Sequence, residues 1–232
     1  MAPERHTGYY NLKEAFEQRG CAFCNILEKS TLKYFDDLLY EGVNDMKVNA
    51  ELLKSNGYCQ RHAGTLLDFK DAMGIALLYQ RVIGQINKFA GKKSTTKFLS
   101  EFRGYKEKQT RYCPACLNEK AAFERYGGIF VDFIGDFFYD IKRNDAFPFC
   151  MEHFIMILDR LAKEDPLKAK ELKEIQENNL KNFTSTTLNA LIDSYNYQKG
   201  AEKLSDTEKK AWIDAVELIS GKKFEKQRRW KR

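Results

Sequence analysis

The 232-residue chain carries 39 basic and 33 acidic side chains, a formal net charge of +6, and 43% hydrophobic residues, which is ordinary for a globular protein. Its longest apolar stretch, near residues 129–139, contains Asp132 and Asp136. No stretch therefore approaches the roughly 18 uninterrupted apolar residues that a membrane span needs. The N-terminal residues also lack the apolar segment of a signal peptide. We expect a cytoplasmic protein, whose cysteines serve as ligands or catalysts and not as disulfides.

Hydrophobic spacing and helix-ending residues predict a succession of helices in the first half of the chain. A short helix over Asn11–Arg19 ends at the following glycine, and the next helix begins near Cys24. Gly57 marks a turn, a further helix begins near Cys59, and residues 71–90 have the spacing of an amphipathic helix. Period-2 alternation is almost absent from the sequence, so we predict an all-α protein.

The second half repeats this scheme and adds a C-terminal extension. Residues 165–166, Asp-Pro, predict the start of a long helix that reaches about Tyr197. Ser205 and Glu208 have the spacing of a capping box, which opens a last helix that Gly221 ends. The first helix of this half carries an aromatic stripe that we expect in the core: Phe123, Phe130, Phe133, Phe137 and Phe138.

Cysteine and histidine residues form one pattern that occurs twice. The first copy is C-x2-C-x34-C-x2-H, and the second is one residue shorter between its two pairs. All six cysteines and two of the three histidines belong to these copies. Cys/His pairs at such spacing are typical of metal sites, and the repetition predicts an internal duplication. The predicted ligands are Cys21, Cys24, Cys59, His62, Cys113, Cys116, Cys150 and His153.

The repeated motifs define a domain organisation of two homologous metal-binding halves. Residues 1–92 form the first Cys3His repeat, 93–110 a polar connection, 111–163 the second repeat, and 164–232 C-terminal helices with a basic tail. We predict that each repeat completes the site that its first Cys pair begins, so that Cys59 and His62 join Cys21 and Cys24. The sequence alone does not tell whether the halves exchange ligand pairs instead.

The ligand set favours two zinc ions. Zn²⁺ readily takes a tetrahedral Cys3His shell, and a filled shell leaves no position for a reactive water. A [4Fe–4S] cluster also needs four ligands and is the alternative cofactor, although its ligands are normally all thiolates. The sequence therefore favours a non-enzymatic protein in which structural zinc supports a helical scaffold for a protein partner. A redox protein with two iron–sulfur clusters is the alternative.

No second constellation in the sequence predicts catalysis. No cysteine remains outside the two patterns to act as a nucleophile, and no glycine-rich phosphate loop is present. Glu28 and Glu119 follow the two C-x2-C motifs closely, but helical glutamates usually lie on solvated faces. We therefore expect both to be solvated and lean against an enzymatic activity.

The whole excess of positive charge lies in the last twelve residues. They hold seven basic side chains and one acidic one, which leaves 32 of each sign in the rest of the chain. Such a segment can bind the phosphates and stack on the bases of a nucleic acid, although a solvated tail is the more ordinary interpretation. An anionic membrane surface is a remoter option. The candidate nucleic-acid contacts are Lys222, Lys223, Lys226, Arg228, Arg229, Trp230, Lys231 and Arg232.

The motifs resemble those of an uncharacterised family of bacterial and archaeal proteins whose members carry C-P-x-C and G-[FY]-C-x-x-H twice. Here these are CAFC and GYCQRH, then CPAC and PFCMEH. The C-terminal LIDSYNYQK segment and the helix after it also resemble the family. The resemblance as a whole spans about Gly20 to Lys222. Pro after Cys21 and Gly before Phe149 are missing, which affects turns and not ligands. The resemblance implies a mostly helical metal-binding protein and no particular reaction.

Overall fold

The computed structural model describes residues 4–90, 94–143, 147–195 and 204–221. Within these ranges the chain is helical and contains no β-strand, which confirms the predicted all-α class. No helix in these ranges has both the length and the apolar character that crossing a membrane requires. The internal duplication and the four sequence segments drawn from it stay predictions.

The described helices follow one another with short connections. They are α1 (Thr7–Glu17), α2 (Ala22–Asp37), α3 (Met46–Lys54), α4 (Gln60–Asp68), α5 (Ala72–Ala90), α6 (Thr95–Phe102), α7 (Tyr105–Tyr112), α8 (Pro114–Asp132), α9 (Ile134–Arg143), α10 (Met151–Glu164), α11 (Pro166–Asn182), α12 (Asn189–Tyr195) and α13 (Asp206–Ser220). Single π-helical stretches, Leu38–Gly42 and Phe183–Leu188, follow α2 and α11.

Several predicted helix ends are confirmed. Pro166 occupies the first turn of α11, and the Asp165 side chain caps that helix by accepting the backbone N–H of Lys168. Ser205 and Glu208 form the expected capping box at the start of α13. The structure also has helices that the sequence did not predict, namely α3 and, inside the polar connection, α6 and α7.

The chain divides into two compact units that do not coincide with the sequence repeats. Among the described residues, unit 1 comprises 4–27, 123–143, 147–195 and 204–221, and unit 2 comprises 28–90 and 94–122. The divisions fall inside α2 and inside α8, so each of these helices contributes residues to both units. Each unit therefore combines residues from both copies of the Cys/His pattern.

Unit 1 has an aromatic core. Phe16 stacks on Phe130 with ring centroids 5.9 Å apart, and Phe149 meets Phe130 edge-on at 5.6 Å. The five phenylalanines of the predicted stripe are all buried, which confirms their assignment to the core. Since Phe149 directly precedes Cys150, packing of this core fixes the position of a predicted ligand.

Unit 2 has an aliphatic and aromatic core that includes a predicted ligand. Phe35, Leu52 and Leu78 are fully buried there, together with Cys113. Tyr58 is buried beside them, and its hydroxyl lies 3.0 Å from that of Tyr34. Because Tyr58 precedes Cys59, this core also holds a predicted ligand in place.

Candidate metal sites

The eight predicted ligand residues form two clusters, one in each unit. Site 1 consists of Cys21, Cys24, Cys150 and His153, and site 2 consists of Cys59, His62, Cys113 and Cys116. In each cluster the four ligand atoms all lie within 4.8 Å of one another. Two Cys3His groups that can hold metal ions are therefore present.

The predicted pairing of the motifs within each repeat is wrong. Cys59 and His62 do not complete a site with Cys21 and Cys24, but with the Cys113–Cys116 pair. The Cys21–Cys24 pair instead meets Cys150 and His153. The physical reason is that α2 and α8 each contribute residues to both units. The C-x2-C pair at the start of each helix therefore belongs to one unit, whereas most of the repeat that contains this pair belongs to the other.

The turn before Cys59 explains how this residue comes to start a helix. Helix α3 ends with Asn56 and Gly57 at positive φ, 56° and 97°. The N–H of Gly57 donates to the carbonyl of Leu52 at 2.9 Å, and that of Asn56 to Leu53 at 3.2 Å, which together form a Schellman motif. The chain then reverses, and Cys59 becomes the N-cap of α4 with His62 three residues later on the same face.

Cys150 has the equivalent position at the N-cap of α10. The carbonyl of Pro148, two residues earlier, accepts the backbone N–H of Ala22 at 3.0 Å. That hydrogen bond ties the loop before Cys150 to the first turn of α2, which carries Cys24. This long-range hydrogen bond helps to bring Cys24 close to Cys150, which lies 126 residues further along the chain.

In site 2 the histidine nitrogen faces all three sulfur atoms. The Nδ1 atom of His62 lies 3.3 Å from Sγ of Cys59, 3.4 Å from that of Cys113 and 3.3 Å from that of Cys116. The sulfurs of Cys59 and Cys116 are 3.7 Å apart. Four donors that converge on one small volume are suited to a single ion.

Site 1 has nearly the same geometry. The Nδ1 atom of His153 lies 3.4 Å from Sγ of Cys21, 3.5 Å from that of Cys24 and 3.3 Å from that of Cys150. The sulfurs of Cys24 and Cys150 are 3.9 Å apart. The two clusters therefore offer the same donor set at matching separations.

The electrostatics of each cluster favour one thiolate beside a positive charge. Burial raises the pKa of Cys21, and hydrogen bonds with Cys113 and Cys59 raise the pKa of Cys116. Hydrogen bonds with Cys113 and Cys116 lower the pKa of Cys59, and those with Cys21 and Cys24 lower the pKa of Cys150. Burial opposes protonation of the histidines, but the neighbouring cysteines, and for His62 also Glu119, outweigh it. The pKa rises to about 10 for His62 and to about 9 for His153. A metal ion supplies at Nδ1 the positive charge that each cluster favours.

The outer surroundings of the two histidines differ. The Nε2 atom of His62 lies 3.0 Å from Oε1 of Glu119, whose carboxylate also accepts hydrogen bonds from Arg61 at 2.9 Å and from Thr31 at 3.0 Å. His153 instead stacks on Phe123, with ring centroids 5.5 Å apart and planes inclined by 18°.

Glu119 is therefore not the solvated side chain that the sequence interpretation expected. Its side chain is only 12% exposed. Burial opposes its ionisation, but the contacts with His62 and Arg61 outweigh burial and lower the pKa of the carboxyl. The sequence did contain a usable signal, since Glu119 follows Cys116 by three residues and so shares its face of α8.

Helix α13 covers site 1. A Cβ atom added to Gly221 would lie 3.6 Å from Sγ of Cys24 and 3.8 Å from that of Cys150. Gly221 has φ 77° and ψ 163°, a conformation open essentially to glycine alone. A cavity of about 20 Å³ beside Cys21 and Cys150 is also bordered by this helix. The sequence predicted Gly221 as a helix end but not its approach to the sulfur atoms.

The candidate nucleic-acid contacts cannot be placed. Lys222, Lys223, Lys226, Arg228, Arg229, Trp230, Lys231 and Arg232 all lie outside the described residues. The role assigned to them stays a prediction.

The fold and the two clusters define an all-α protein with two Cys3His groups that can hold metal ions. The chain matches the Family of unknown function (DUF6062) over residues 9–226 and belongs to that family. It is also similar to an "Uncharacterized 23.9 kDa protein in xynA 3'region" of Caldicellulosiruptor sp. (strain Rt8B.4). The two are 24% identical over 212 residues, which cover 90% of this chain and 98% of the relative. No solved structure matches the chain.

Proposed function

We propose that each Cys3His cluster binds one Zn²⁺ and that both ions are structural. The observation that carries this proposal is the spacing of the ligand atoms. Tetrahedral zinc with bonds of about 2.3 Å to sulfur and about 2.0 Å to nitrogen separates its ligand atoms by roughly 3.5–3.8 Å. The separations of 3.3–3.5 Å from Nδ1 to sulfur and of 3.7 and 3.9 Å between sulfurs agree with that geometry.

The same distances argue against an iron–sulfur cluster at these sites. A [4Fe–4S] cluster binds each ligand to a different iron at a corner of a cube, which separates the ligand atoms much more than one ion does. Ligand atoms that lie within 4.8 Å of one another enclose too little space for such a cluster. The proposed cofactor is therefore zinc. Analysis of the bound metal would also test the iron–sulfur alternative.

A structural role follows from the ligand count and from the elements that the ligands connect. Three cysteines and one histidine fill a tetrahedral shell, so the ion has no open position for substrate or water. Site 1 joins the start of α2 to the start of α10, and site 2 joins the start of α4 to that of α8. We infer that the protein is a zinc-stabilised helical scaffold for a protein partner and not an enzyme.

Reduced thiols are a condition of this function, and they support a cytoplasmic location. All six cysteines are free, and all six lie in the two clusters. An oxidising compartment would favour disulfides between sulfur atoms that lie this close together. Zinc bound to all six would protect them in the cell.

Metal analysis tests the proposal directly. Protein purified without added metal should contain two zinc ions per chain, whereas Cys24→Ala and Cys116→Ala should each contain one. His6→Ala is the matched control, since His6 belongs to neither cluster and should retain both ions. Cys24→Ala should also lower the melting temperature, because zinc binding contributes on the order of 10 kcal/mol in small zinc-finger peptides. Iron with inorganic sulfide, or wild-type protein without metal and with freely reactive thiols, would contradict the proposal.

A further inference from the structure

The two Cys3His clusters have the same donor set but differ in how far solvent reaches their sulfur atoms. Cys21, Cys24 and Cys150 of site 1 are all buried, whereas Cys59 and Cys116 of site 2 are partly exposed. A zinc-bound cysteine is a thiolate, which is the form that reacts with oxidants. Zinc moderates this reactivity without removing it, so the susceptibility of each sulfur follows its exposure. An oxidant in solution therefore has better access to site 2.

Backbone and aromatic rings close to the ligands cover site 1. A Cβ atom added to Gly221 would be in ordinary van der Waals contact with Sγ of Cys24 and of Cys150, at 3.6 and 3.8 Å, so the end of α13 lies against both sulfurs. On the histidine side, the ring of Phe123 stacks on that of His153. A small oxidant meets these groups before it meets a sulfur atom.

The two partly exposed sulfurs of site 2 are neighbours. Sγ of Cys59 and Sγ of Cys116 are 3.7 Å apart, and the two residues lie at the starts of different helices, α4 and α8. The third cysteine, Cys113, is fully buried in the core of unit 2, and its sulfur accepts the backbone N–H of Cys59 at 3.5 Å. Whichever exposed sulfur is oxidised first thus has an accessible thiolate beside it, as redox-sensing cysteines often do.

We propose that site 2 is a peroxide-sensitive zinc site, in which Cys59 and Cys116 form a reversible disulfide and release the ion. This role rests on the proposed zinc function of the clusters. One thiolate attacks an oxygen of hydrogen peroxide, which breaks the O–O bond and leaves a sulfenic acid and a hydroxide ion. The other thiolate attacks the sulfenic sulfur, forms the S–S bond and expels a second hydroxide. The cysteines lose two electrons to the peroxide, and two protons from solvent convert the hydroxides to water.

Formation of the disulfide removes two of the four donors of site 2. A zinc ion held by Cys113 and His62 alone has two open positions, so its affinity falls and the ion leaves. The S–S bond then joins the start of α4 to the start of α8 in place of the ion, while site 1 keeps its zinc. Reduction by a small thiol restores both thiolates, and zinc binds again. Site 1 is thus structural throughout, and site 2 responds to the oxidant.

Peroxide treatment of the zinc-loaded full-length chain tests this role, with an untreated sample as reference. A chromogenic chelator should detect release of one zinc ion per chain, and site 2 should lose its ion at least about tenfold faster than site 1. Peptide mass spectrometry should find Cys59 linked to Cys116, and a thiol reductant with added zinc should restore both ions. Two matched variants separate the sites: Cys116→Ala retains only site 1 and should keep its zinc in peroxide, whereas Cys24→Ala retains only site 2 and should lose it.

The zinc content before and after treatment distinguishes the two proposals. Wild type that contains no zinc before treatment would contradict the proposed function. Two zinc ions that both withstand peroxide, or that leave at equal rates, would overturn the peroxide-sensitive role alone. A disulfide that forms first within site 1, or one that joins Cys113 to Cys116, would overturn it as well. So would oxidation of Cys59 and Cys116 to sulfinic acids without a disulfide, since a thiol does not reverse that step.

Discussion

The carboxylate of Glu119 lies 3.0 Å from the buried Nε2 atom of His62. Arg61 and Thr31 hold the same carboxylate by hydrogen bonds. A fixed carboxylate this close to Nε2 favours by its negative charge the ring orientation in which Nδ1 faces the three sulfurs of site 2, although the contact is not aligned as a hydrogen bond. His153 obtains its orientation by stacking on Phe123 instead. Two sites with the same ligands are thus supported by a charged network in one case and by aromatic packing in the other.

Replacing Glu119 by glutamine should weaken zinc at site 2 selectively. Loss of a partner in the outer shell typically lowers metal affinity about 10- to 100-fold, and site 1 should keep its affinity. Competition with a zinc chelator, followed by quantification of both steps of zinc release, measures the effect. Glu124→Gln is the control, since Glu124 lies on the same helix but pairs with Arg160 at the surface. Equal release from Glu119→Gln and wild type would exclude a role for the carboxylate.

Gly221→Ala should destabilise the protein and loosen site 1. Its φ of 77° with ψ of 163° strains any other residue by about 1 kcal/mol or more, so the backbone should move away from Cys24 and Cys150. Gly84→Ala is the control, because Gly84 lies inside α5 with open space around it and should gain about 0.5–1 kcal/mol. Thermal unfolding with zinc analysis measures both. A Gly221→Ala protein with the stability and zinc content of wild type would show that the approach of Gly221 to the sulfurs of Cys24 and Cys150 does not require glycine.

The six cysteines should differ in reactivity. Cys59 and Cys116 of site 2 are partly exposed, whereas Cys21, Cys24 and Cys150 of site 1 are buried. Because thiolate reactivity depends on access, an alkylating reagent should modify Cys59 and Cys116 first. Peptide mass spectrometry at short reaction times gives the order. Earlier modification of the site 1 cysteines would mean that α13 does not shield them.

Asp136 should make stability depend on pH. Its carboxylate accepts hydrogen bonds from Arg5 at 2.8 Å and from Tyr9 at 3.0 Å, and the contact with Arg5 lowers the pKa of Asp136. A lowered folded-state pKa stabilises the fold above the unfolded value of about 4, and that contribution is lost as the pH falls through the folded value.

Asp136→Asn should therefore be less stable than wild type at pH 7, by less than about 1 kcal/mol because the pair is partly exposed. The difference should shrink in acid, where the wild-type carboxyl becomes protonated. Urea unfolding of both proteins over a pH series measures this difference in stability. Loss of metal in acid affects both proteins equally and therefore cancels in the difference. A difference that stays constant from pH 7 into acid would rule out the ion pair as its cause.

The sequence predicted the eight clustered residues because the spacing of Cys and His is a local signal. Pro166, Ser205 and Gly221 predicted helix ends for the same reason, since caps depend on the few residues around them. Helices α3, α6 and α7 were missed because they are only nine, eight and eight residues long, which is too short for an apolar period to stand out. The residues of α7 are also strongly polar. Local signals of this kind determine where helices and ligand pairs occur in the sequence. They do not determine which helices or ligand pairs come into contact in the fold.

The partners of the ligand pairs depend on tertiary structure. Two copies with the same spacing are compatible with sites inside each repeat or between repeats, and only the course of α2 and α8 through the two units decides between them. Glu119 was misinterpreted because a glutamate on a helix is usually solvated, whereas Arg61 and His62, 58 and 57 residues away, make this one a buried partner. No pattern within a few residues reports such contacts.

Thiol mapping of a Cys24→Ser variant tests the exchanged pairing most directly. Removing Cys24 disrupts site 1, so Cys150 should become more reactive toward an alkylating reagent than in zinc-loaded wild type. Cys59 belongs to site 2 and should keep its wild-type reactivity. The account predicts a rise at Cys150 with no change at Cys59, read by peptide mass spectrometry. A rise at Cys59 with Cys150 still protected would contradict it and would place the Cys21–Cys24 pair in a site within its own repeat.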